Sequence, residues 1–286
     1  MCYYHAMVID GKKIAEEIRN KLGLITGAFP ASPALDIVVV GENPVIESFV
    51  RIKRRMGGEL GMRVNEHRFP DTITGEALKN EVVRIAANAE SDGLIIQLPL
   101  PKTIDTQSIL DAVPLSKDVD MLSTHAIAAF ARGDAGILPP VAGAIQEILE
   151  RSNVVVSGKE ALVLGHGHLV GIPASILLRH NGAHVTVIDK EISNLKEHAL
   201  ESDIIISGVG RSGLITPDMI SSKTTLIDAG TSEAGGRIVG DALPECKDIA
   251  GVFTPVPGGV GPIAVVMIFK NLSILAQKKM IGEQRA

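Results

Sequence analysis

Short runs of branched apolar residues alternate with helical patterns along this chain. The first series of runs stands at 35–41 (LDIVVVG), 62–69 (MRVNEHRF) and 93–101 (GLIIQLPLP), and helices are predicted after the first two, at about 45–60 and 74–89. A strand, a helix and a second strand in succession form a βαβ unit, and consecutive units form a parallel sheet. The chain is therefore expected to be an α/β protein, with helices flanking a mainly parallel sheet.

A second series of strands begins at residue 160, after a helix predicted at about 141–151. EALVLG leads into a glycine-rich turn and a helix at 169–180, and the further strands are predicted at 183–189, 202–210, 224–230 and 237–242. Together they predict a sheet of the Rossmann type. A last helix, at about 260–277, follows this series, and we expect it to return to the first domain.

A chain of 286 residues has room for two domains of ordinary size. The first domain is predicted at 1–122 plus 262–286, which makes it discontinuous. The second, a Rossmann-type dinucleotide-binding domain, is predicted at 140–261. The polar, turn-rich segment PLSKDVDMLS at 114–123 is expected to cross from one to the other.

Composition agrees with this fold and limits the function. Hydrophobic residues make up 45% of the chain and aromatic residues only 3%, so the interior must consist of Ile, Val, Leu and Ala, as in parallel α/β sheets. The net charge of −5 argues against a nucleic-acid-binding protein, which would carry a basic surplus or patch. Two cysteines, Cys2 and Cys246, are too few for a disulfide framework or a cysteine metal site.

Neither a membrane segment nor a secretory signal is predicted. Apolar runs fall short of the roughly 18 residues that a transmembrane helix needs. The start, MCYYHAMVID, lacks a basic region followed by an apolar stretch. A reducing cytosol is the expected location. The first six residues are a candidate for an unordered extension, because the helix-forming segment begins only after them.

The turn after the strand at 160 has the pattern GxGxxxG. Its glycines are Gly165, Gly167 and Gly171, within VLGHGHLVGIP. Glycine lets the backbone approach a pyrophosphate, and the N-terminus of the following helix supplies free N–H groups and a partial positive charge. The pattern is one residue longer than the common fingerprint and predicts a dinucleotide site. A tight turn with only a structural role is the alternative.

Asp189 ends the next strand, 24 residues after Gly165. A carboxylate there accepts hydrogen bonds from an adenosine ribose, which favours NAD, and it repels the 2′-phosphate of NADP. An acid that only caps a loop is the alternative. His166 and Lys190 argue for NADP, because either could meet a 2′-phosphate. The predicted cofactor-binding residues also include His168 and Thr231.

Lys53 and Phe49 are four residues apart and share one face of a predicted helix. Lys53 belongs to the basic run RIKRR, so a solvated cation is its ordinary interpretation. Gln97 stands among apolar residues near the carboxyl end of its strand, where open α/β sheets bind ligands. A buried amide without a hydrogen bond costs about 1–3 kcal/mol, so Gln97 either has a partner in the core or faces a cleft.

Asp118 and Asp120, in SKDVDM, fit two interpretations equally. They cap the crossing segment, or they point into a cleft. A carboxylate in a cleft could bind two N–H groups of a polar heterocycle in bidentate fashion.

The stretch TPVPGGVGP at 254–262 holds three prolines and three glycines directly before the last helix. Prolines stiffen a backbone, and glycines allow a close approach to it. We therefore expect a rigid wall against which ligands can lie closely.

Taken together, these segments resemble the bifunctional methylenetetrahydrofolate dehydrogenase/methenyltetrahydrofolate cyclohydrolase family, from about residue 8 to 277. The most specific matching segments are TPVPGGVGP, DGLIIQLPLP and KDVD, and the supporting ones are VVGENP, VLGHGHLVGIP, IDAG and VGD. The resemblance implies a two-domain enzyme with its active site in a cleft between the domains. It also implies NADP or NAD as cofactor, no required metal and, usually, a homodimer.

The resemblance implies roles for individual residues. Lys53 matches the catalytic lysine, Gln97 the glutamine that works beside it and Asp120 the aspartate that holds the pterin ring. The implied substrate-binding residues are Phe49, Pro257, Gly258, Gly259, Gly261 and Pro262. Such an enzyme oxidises 5,10-methylenetetrahydrofolate by hydride transfer to the dinucleotide and hydrolyses the methenyl product to 10-formyltetrahydrofolate.

Two departures from the family pattern concern the catalytic lysine. Phe49 stands where the family usually has tyrosine, and Ile46 where it has serine. Lys53 thereby loses a hydroxyl partner, so the alternative function is a dehydrogenase whose cyclohydrolase activity is lost or weak. A further alternative is a nucleotide-binding protein without catalysis, which the joint presence of the catalytic residues opposes. Another is an unrelated hydroxyacid dehydrogenase, for which no convincing His/Arg pair stands outside the glycine turn.

Other departures concern the cofactor. Pro140 stands where a threonine hydroxyl usually lies near the cofactor. His166-Gly167 and Asp189-Lys190 replace pairs that are common in NADP-dependent members. The family therefore favours NADP, whereas Asp189 favours NAD.

Overall fold

The computed structural model describes residues 7–189 and 194–283, which form two α/β units. The helices are α1 (Gly11–Thr26), α2 (Pro44–Glu59), α3 (Gly75–Ala86), α4 (Thr106–Leu110), α5 (Thr124–Arg132), α6 (Pro140–Arg151), α7 (Gly171–His180), α8 (Leu195–Glu201) and α9 (Val260–Glu283). The strands are β1 (Met7–Val8), β2 (Ala34–Val40), β3 (Arg63–Phe69), β4 (Gly93–Ile96), β5 (Glu160–Leu164), β6 (His184–Ile188), β7 (Ile204–Ser207), β8 (Thr225–Asp228), β9 (Ser232–Ala234), β10 (Arg237–Val239) and β11 (Val252–Phe253).

One unit comprises residues 17–140 and the chain from residue 265 onward. Its sheet has three parallel strands in the order β3-β2-β4. The central strand β2 reads ALDIVVV and is buried throughout, as expected for a parallel strand covered on both faces. The core on one face includes Val38 and Ile96 from the sheet and Leu78 and Val82 from α3. The sheet therefore fixes the carboxyl ends of β2 and β4 side by side.

The other unit comprises the described residues up to Glu16 and residues 141–264. Its six strands are all parallel, in the order β1-β11-β8-β7-β5-β6. β6 lies beside β5 on one side, whereas β7 and then β8 lie on its other side, so the strand order reverses at β5. The carboxyl end of β5 is therefore the switch point at which sheets of this type bind ligands.

The predicted strand at 237–242 does not join that sheet, so this expectation is wrong. Arg237–Val239 pairs antiparallel with Ser232–Ala234 in a separate hairpin. Gly235 and Gly236, both at positive φ, form its two-residue turn, the geometry that glycine permits without strain. The large sheet is completed by β1 and β11, whose two residues each are too few to produce a recognisable period.

The predicted strand at 93–101 is also shorter in the structure. It ends at Ile96. The Gln97 amide makes one more hydrogen bond to Val38, and Pro99 and Pro101 beyond it have no N–H group with which the pairing could continue. The Leu98–Pro99 peptide bond is cis. The structure also contains α4 and α5, which lie before and after the turn-rich segment predicted at 114–123 and were not expected from the sequence.

The start of the chain belongs to a different unit from the one predicted. The prediction assigns residues 1–16 to the first domain, whereas the described residues up to Glu16 lie in the unit with the six-stranded sheet. Met7 and Val8 pair in parallel with Val252 and Phe253. The Ile9 amide extends this pairing, since it donates to the Phe253 carbonyl oxygen at 2.8 Å. The described residues up to Glu16 therefore group with residues 141–264. The first six residues, considered above as an extension, lie outside the described part of the chain.

In the described ranges one helix, Val260–Gly282, is long and apolar enough to span a bilayer, with a mean hydropathy of 1.6. Within it, 61% of the most apolar window is buried inside the protein. A core helix of a soluble protein has the same length and composition, so this is weak evidence for a membrane segment.

Candidate active site

Lys53 lies on the buried stripe of α2. The start of this helix is fixed by Asn43, whose side chain accepts a hydrogen bond from the Val45 amide at 2.8 Å, and by Pro44, whose φ suits the first turn. Val50 and Lys53 then face inward, and Lys53 is only 8% exposed. A solvated cation is therefore not the correct interpretation of this lysine.

Gln97 is the hydrogen-bond partner of Lys53. It follows β4 directly, and its backbone N–H donates to the Val38 carbonyl oxygen at 2.9 Å. Its side-chain Nε2 donates to the Leu98 carbonyl oxygen at 2.9 Å, which leaves Oε1 to accept a hydrogen bond from Lys53 Nζ at 2.8 Å. Both ends of the amide are satisfied. The polar residue in GLIIQLPLP is thus explained by a lysine from another element.

The electrostatics of the site involve Lys53 and Asp120. Burial lowers the pKa of Lys53 below its ordinary value, and the charge of Asp120 opposes part of that shift. Burial likewise raises the pKa of Asp120 to about 6, while the charge of Lys53 counteracts the rise and that of Asp118 adds to it. Both groups are shifted toward the neutral range, as is common for residues that transfer protons or hold polar ligands.

Asp118 and Asp120 differ in their surroundings. Asp118 is buried and accepts hydrogen bonds from Ser123 Oγ at 2.7 Å and from the Ser123 amide at 3.0 Å, at the start of α5. Asp120 accepts no hydrogen bond from residues 7–189 or 194–283. Capping therefore applies to Asp118, and the Asp120 carboxylate is available to a ligand.

The other basic residues around Lys53 do not shift its pKa. Arg54 forms an ion pair with Glu66, which also accepts from Arg68 at 2.6 Å. The side chain of Arg55 is 74% exposed. Their charges are neutralised or screened by water, so the lowered pKa of Lys53 results from burial.

Phe49 lies one helical turn before Lys53. Its ring centroid is 6.0 Å from Lys53 Nζ, within the range of a cation–π contact. The residue is 44% exposed, so a flat apolar surface adjoins the lysine and can stack on a planar ligand. The ring has no hydroxyl, and Gln97 takes the position of hydrogen-bond partner.

The glycine turn has the geometry that a pyrophosphate site requires. Gly165 follows β5 with a φ of +94°, and a Cβ added at Gly171 would lie 2.0 Å from the Gly165 carbonyl oxygen. An added Cβ at Gly167 would meet no atom within 4 Å, so this glycine faces open space. The amides of residues 166–171 donate to no acceptor in the part of the chain that is described. These free N–H groups fit a dinucleotide pyrophosphate.

The remaining predicted cofactor residues lie around the same edge of the sheet. Asp189 directly follows β6, which pairs with β5, and is exposed. Thr231 is exposed after β8, and its carbonyl oxygen lies 3.2 Å from a Cβ added at Gly210. His166 and His168 are exposed in the glycine turn. Lys190 lies outside the described residues.

The stretch at 254–262 is held tightly within its own unit. The Asp228 amide donates to Thr254 Oγ1 at 2.7 Å, and a Cβ added at Gly259 would lie 2.8 Å from the Thr254 Cβ. Gly258 has a φ of +113°, and its carbonyl oxygen accepts a hydrogen bond from the Gly11 amide at 2.9 Å. Pro257 is exposed, and α9 begins with a turn that contains Gly261 and Pro262. The expected placement of this stretch near Lys53 and Gln97 stays a prediction.

Pro140, the residue in place of a threonine, is buried as the first residue of α6, where a missing N–H is tolerated. Residues 7–189 and 194–283 contain no group of three or more His, Cys, Asp or Glu side chains that could hold a metal ion.

Two family models match the chain, one for each half. Residues 9–120 match the model described as "Tetrahydrofolate dehydrogenase/cyclohydrolase, catalytic domain", and residues 139–280 match "Tetrahydrofolate dehydrogenase/cyclohydrolase, NAD(P)-binding domain". The chain belongs to this family.

Relatives cover almost the whole chain. Bifunctional protein FolD of Dechloromonas aromatica is 34% identical over 279 residues, which are 96% of this chain and 98% of that protein. The solved FolD structure from Campylobacter jejuni has a TM-score of 0.92 at 27% identity and covers 96% of this chain and 99% of its own. FolD of Trypanosoma brucei, complexed with NADP and an inhibitor, has a TM-score of 0.89 at 31% identity, with coverages of 96% and 98%.

Membership of the tetrahydrofolate dehydrogenase/cyclohydrolase family confirms three expectations. The chain is an enzyme with methylenetetrahydrofolate dehydrogenase and methenyltetrahydrofolate cyclohydrolase activities. It binds a nicotinamide dinucleotide. The α/β architecture with a Rossmann-type second unit is also confirmed.

Three residues at the dinucleotide edge were missed at the level of the sequence. Asp228, Asp241 and Thr254 are buried polar residues joined by hydrogen bonds to the turns around them. In the sequence, IDAG (227–230) and VGD (239–241) were used only as segments that match the family. Both segments have an acid within two residues of a glycine, a pattern that could have indicated carboxylates packed against glycine backbone.

Proposed function

We propose that Lys53, Gln97 and Asp120 carry the folate chemistry of this enzyme, with NAD as the preferred dinucleotide. The observation that supports the catalytic assignment most directly is the hydrogen bond of 2.8 Å between the buried Lys53 ammonium and Gln97. A buried lysine with a lowered pKa releases a proton more readily than an exposed one and can take it back. Gln97 holds the amine in place during both transfers.

In the oxidation of 5,10-methylenetetrahydrofolate the dinucleotide supplies the hydride acceptor. The protein binds and orients the substrate. Phe49 offers the stacking surface, and Asp120 accepts two N–H groups of the pterin ring in bidentate fashion. This role requires an ionised Asp120, so folate binding should weaken as the pH falls below the pKa of about 6.

In the hydrolysis of the methenyl product, water attacks the methenyl carbon and Lys53 accepts one of its protons as the C–O bond forms. The bond from that carbon to N5 then breaks, and N5 takes up a proton from Lys53. Of the two protons of the water molecule, one ends on N5 and one is released. The product is 10-formyltetrahydrofolate. Lys53 therefore acts first as a base and then as an acid.

The preference for NAD is supported by Asp189, which is exposed directly after β6. We expect kcat/KM to be higher with NAD than with NADP. Asp189→Ser should lower the ratio of these two values by about tenfold, because the repulsion of a 2′-phosphate is removed. Asp248→Ser, at an exposed acid elsewhere in the same unit, is the matched control. A wild-type enzyme that strongly prefers NADP contradicts the inference.

Phe49→Tyr tests the proton transfer at Lys53. The added hydroxyl supplies a hydrogen-bond partner beside the ammonium, so we expect kcat of methenyltetrahydrofolate hydrolysis to rise by about tenfold. The dehydrogenase rate should change less, because hydride transfer needs no proton from this site. Phe49→Leu, which also changes the ring but adds no hydroxyl, is the control. An unchanged hydrolysis rate in Phe49→Tyr would show that Gln97 alone is sufficient.

A homodimer and a cytosolic location are part of the same proposal. The family resemblance supports the first, and the low number of cysteines, two in 286 residues, supports the second. Light scattering of the purified protein measures the oligomeric state directly.

A further inference from the structure

Two buried carboxylates lie at the carboxyl edge of the six-stranded sheet. Asp228 ends β8 and is 1% exposed, and Asp241 follows the β9–β10 hairpin and is 0% exposed. Neither belongs to the unit that holds Lys53. A buried carboxylate is costly unless hydrogen-bond donors surround it, so its donors indicate what it does.

Asp241 holds the turn that follows β7. One of its oxygens accepts hydrogen bonds from Ser207 Oγ at 2.6 Å and from the Val209 amide at 2.8 Å, and the other accepts from the Arg211 amide at 2.6 Å. Ser207 ends the strand, and the two amides belong to the turn. A single side chain thus fixes alternate peptide groups of the 207–211 turn.

Asp228 holds the turn that follows β8. Its carboxylate accepts hydrogen bonds from the Gly230 amide at 2.9 Å and the Ala242 amide at 2.8 Å. Burial raises its pKa to about 7, and the negative charge of Asp241 adds to that rise.

Glycines make room for both acids. A Cβ added at Gly230 would lie 2.2 Å from the Asp241 carboxyl group, and one added at Gly240 would lie 2.1 Å from Asp228 Oδ2. Each carboxylate therefore occupies the space that a side chain would fill at a glycine near the other acid: Asp241 at Gly230, which follows Asp228 in its turn, and Asp228 at Gly240, directly before Asp241. The backbone at 228–230 and the backbone at 240–241 cannot shift independently.

The turn that Asp241 holds packs directly against the glycine turn. The Gly208 carbonyl oxygen lies 3.2 Å from a Cβ added at Gly165, and a Cβ added at Gly208 would lie 2.4 Å from the Val170 side chain. The glycine turn carries the free amides of residues 166–171. A displacement of the 207–211 turn must therefore displace the backbone that receives the pyrophosphate.

We propose that Asp241 is a positioning residue for the dinucleotide. By holding the 207–211 turn against the glycine turn, it sets the shape of the pyrophosphate site without touching the ligand. The proposal rests on the dinucleotide-dependent oxidation proposed above. It predicts an effect on dinucleotide affinity that is separate from the folate chemistry.

Asp241→Asn tests this. In this variant an NH₂ group replaces one carboxylate oxygen and cannot accept a hydrogen bond from Ser207, Val209 or Arg211. The turn therefore loses at least one of the hydrogen bonds that hold it. We expect the Kd of the dinucleotide, measured by isothermal titration calorimetry, and its KM to rise by roughly tenfold or more. Hydrolysis of methenyltetrahydrofolate, assayed without dinucleotide, should stay within about twofold of the wild type. Ser207→Ala, which leaves both turn amides bonded to Asp241, should change Kd by less than about threefold.

A wild-type Kd in folded Asp241→Asn overturns the proposal, as does an equal loss of dinucleotide binding and hydrolysis, which would indicate a general structural role. If Asp241→Asn does not fold, Gly230→Ala is used instead, because its Cβ displaces the Asp241 carboxyl group without replacing it. The dinucleotide Kd and the hydrolysis rate of that variant then test the proposal in the same way. If the wild type binds the dinucleotide but does not oxidise methylenetetrahydrofolate, the proposed function fails, and the comparison of Kd values still decides the role of Asp241.

Discussion

Lys53→Met should lower kcat of methenyltetrahydrofolate hydrolysis by about 10²–10⁴-fold, the usual contribution of a general acid–base group. Met has nearly the length of Lys and no charge, so it suits a position that is only 8% exposed. Gln97 Oε1 loses its hydrogen-bond partner, so the free energy of unfolding should fall by no more than about 3 kcal/mol. Hydride transfer should fall less than hydrolysis, because the dinucleotide carries that step.

Arg55→Met is the matched control for this variant, because it removes a cation from the same helix at a side chain that is 74% exposed. Its two activities should stay within about twofold of the wild type. Steady-state assays of both reactions, with calorimetric measurement of dinucleotide binding, separate loss of catalysis from loss of folding. If both activities survive in Lys53→Met, the catalytic assignment is wrong.

Asp120→Asn should reduce kcat/KM for the folate substrate by about 100-fold, because a neutral amide cannot accept two N–H groups and loses the charge-assisted hydrogen bonds. In the wild type, kcat/KM for folate should rise with pH through the Asp120 pKa of about 6. That rise should be missing in Asp120→Asn. A pH profile that is identical in the two proteins would show that Asp120 does not hold the substrate.

The same substitution should stabilise the protein without substrate. The pKa of Asp120 is about 6 in the folded state, above its ordinary value of 3.8, so the folded state binds the proton more tightly. Wild-type stability is therefore highest below the ordinary value and falls as the pH rises through about 6. At a pH of about 7.5, Asp120→Asn should be more stable by roughly 1–2 kcal/mol, a difference that disappears near a pH of about 4.

Urea denaturation at the two pH values measures this difference. Asp71→Asn, at an exposed acid of the same unit, is the control and should show little change at either pH. Equal stability of Asp120→Asn and the wild type at neutral pH would mean that the carboxylate is already stabilised by the protein. Its availability to a ligand would then be contradicted.

The sequence was sufficient to predict the elements with a clear period. Branched apolar runs identified β2 and β5, and the glycine spacing identified the turn before α7. It could not predict that 237–239 leaves the large sheet, since a run of β-branched residues does not say which strand it pairs with. The two-residue strands β1 and β11 have no period to detect.

In the candidate active site, the functional residues were easier to predict than their hydrogen-bond and ion-pair partners. Gln97 required a partner, but that partner is Lys53 on another element, and only the fold brings the two together. Asp118 and Asp120 are alike in the sequence, and their roles separate only because Ser123 satisfies the first. The basic run RIKRR does not show which of its cations is buried, and only the fold places Lys53 inside and pairs Arg54 with Glu66 from a neighbouring strand.

The pairing of β1 with β11 has a consequence for biosynthesis. The strand Met7–Val8 completes its hydrogen bonds only with Val252–Phe253, which is translated much later, and the unit that holds Lys53 also includes the chain from residue 265 onward. Neither unit can therefore complete its fold before residues 252–265 have been translated. Contacts between such distant parts of a chain form slowly, and the incomplete sheet edge stays exposed to incorrect pairing until Val252–Phe253 is available. An arrest of translation before residue 252 should leave both units protease-sensitive.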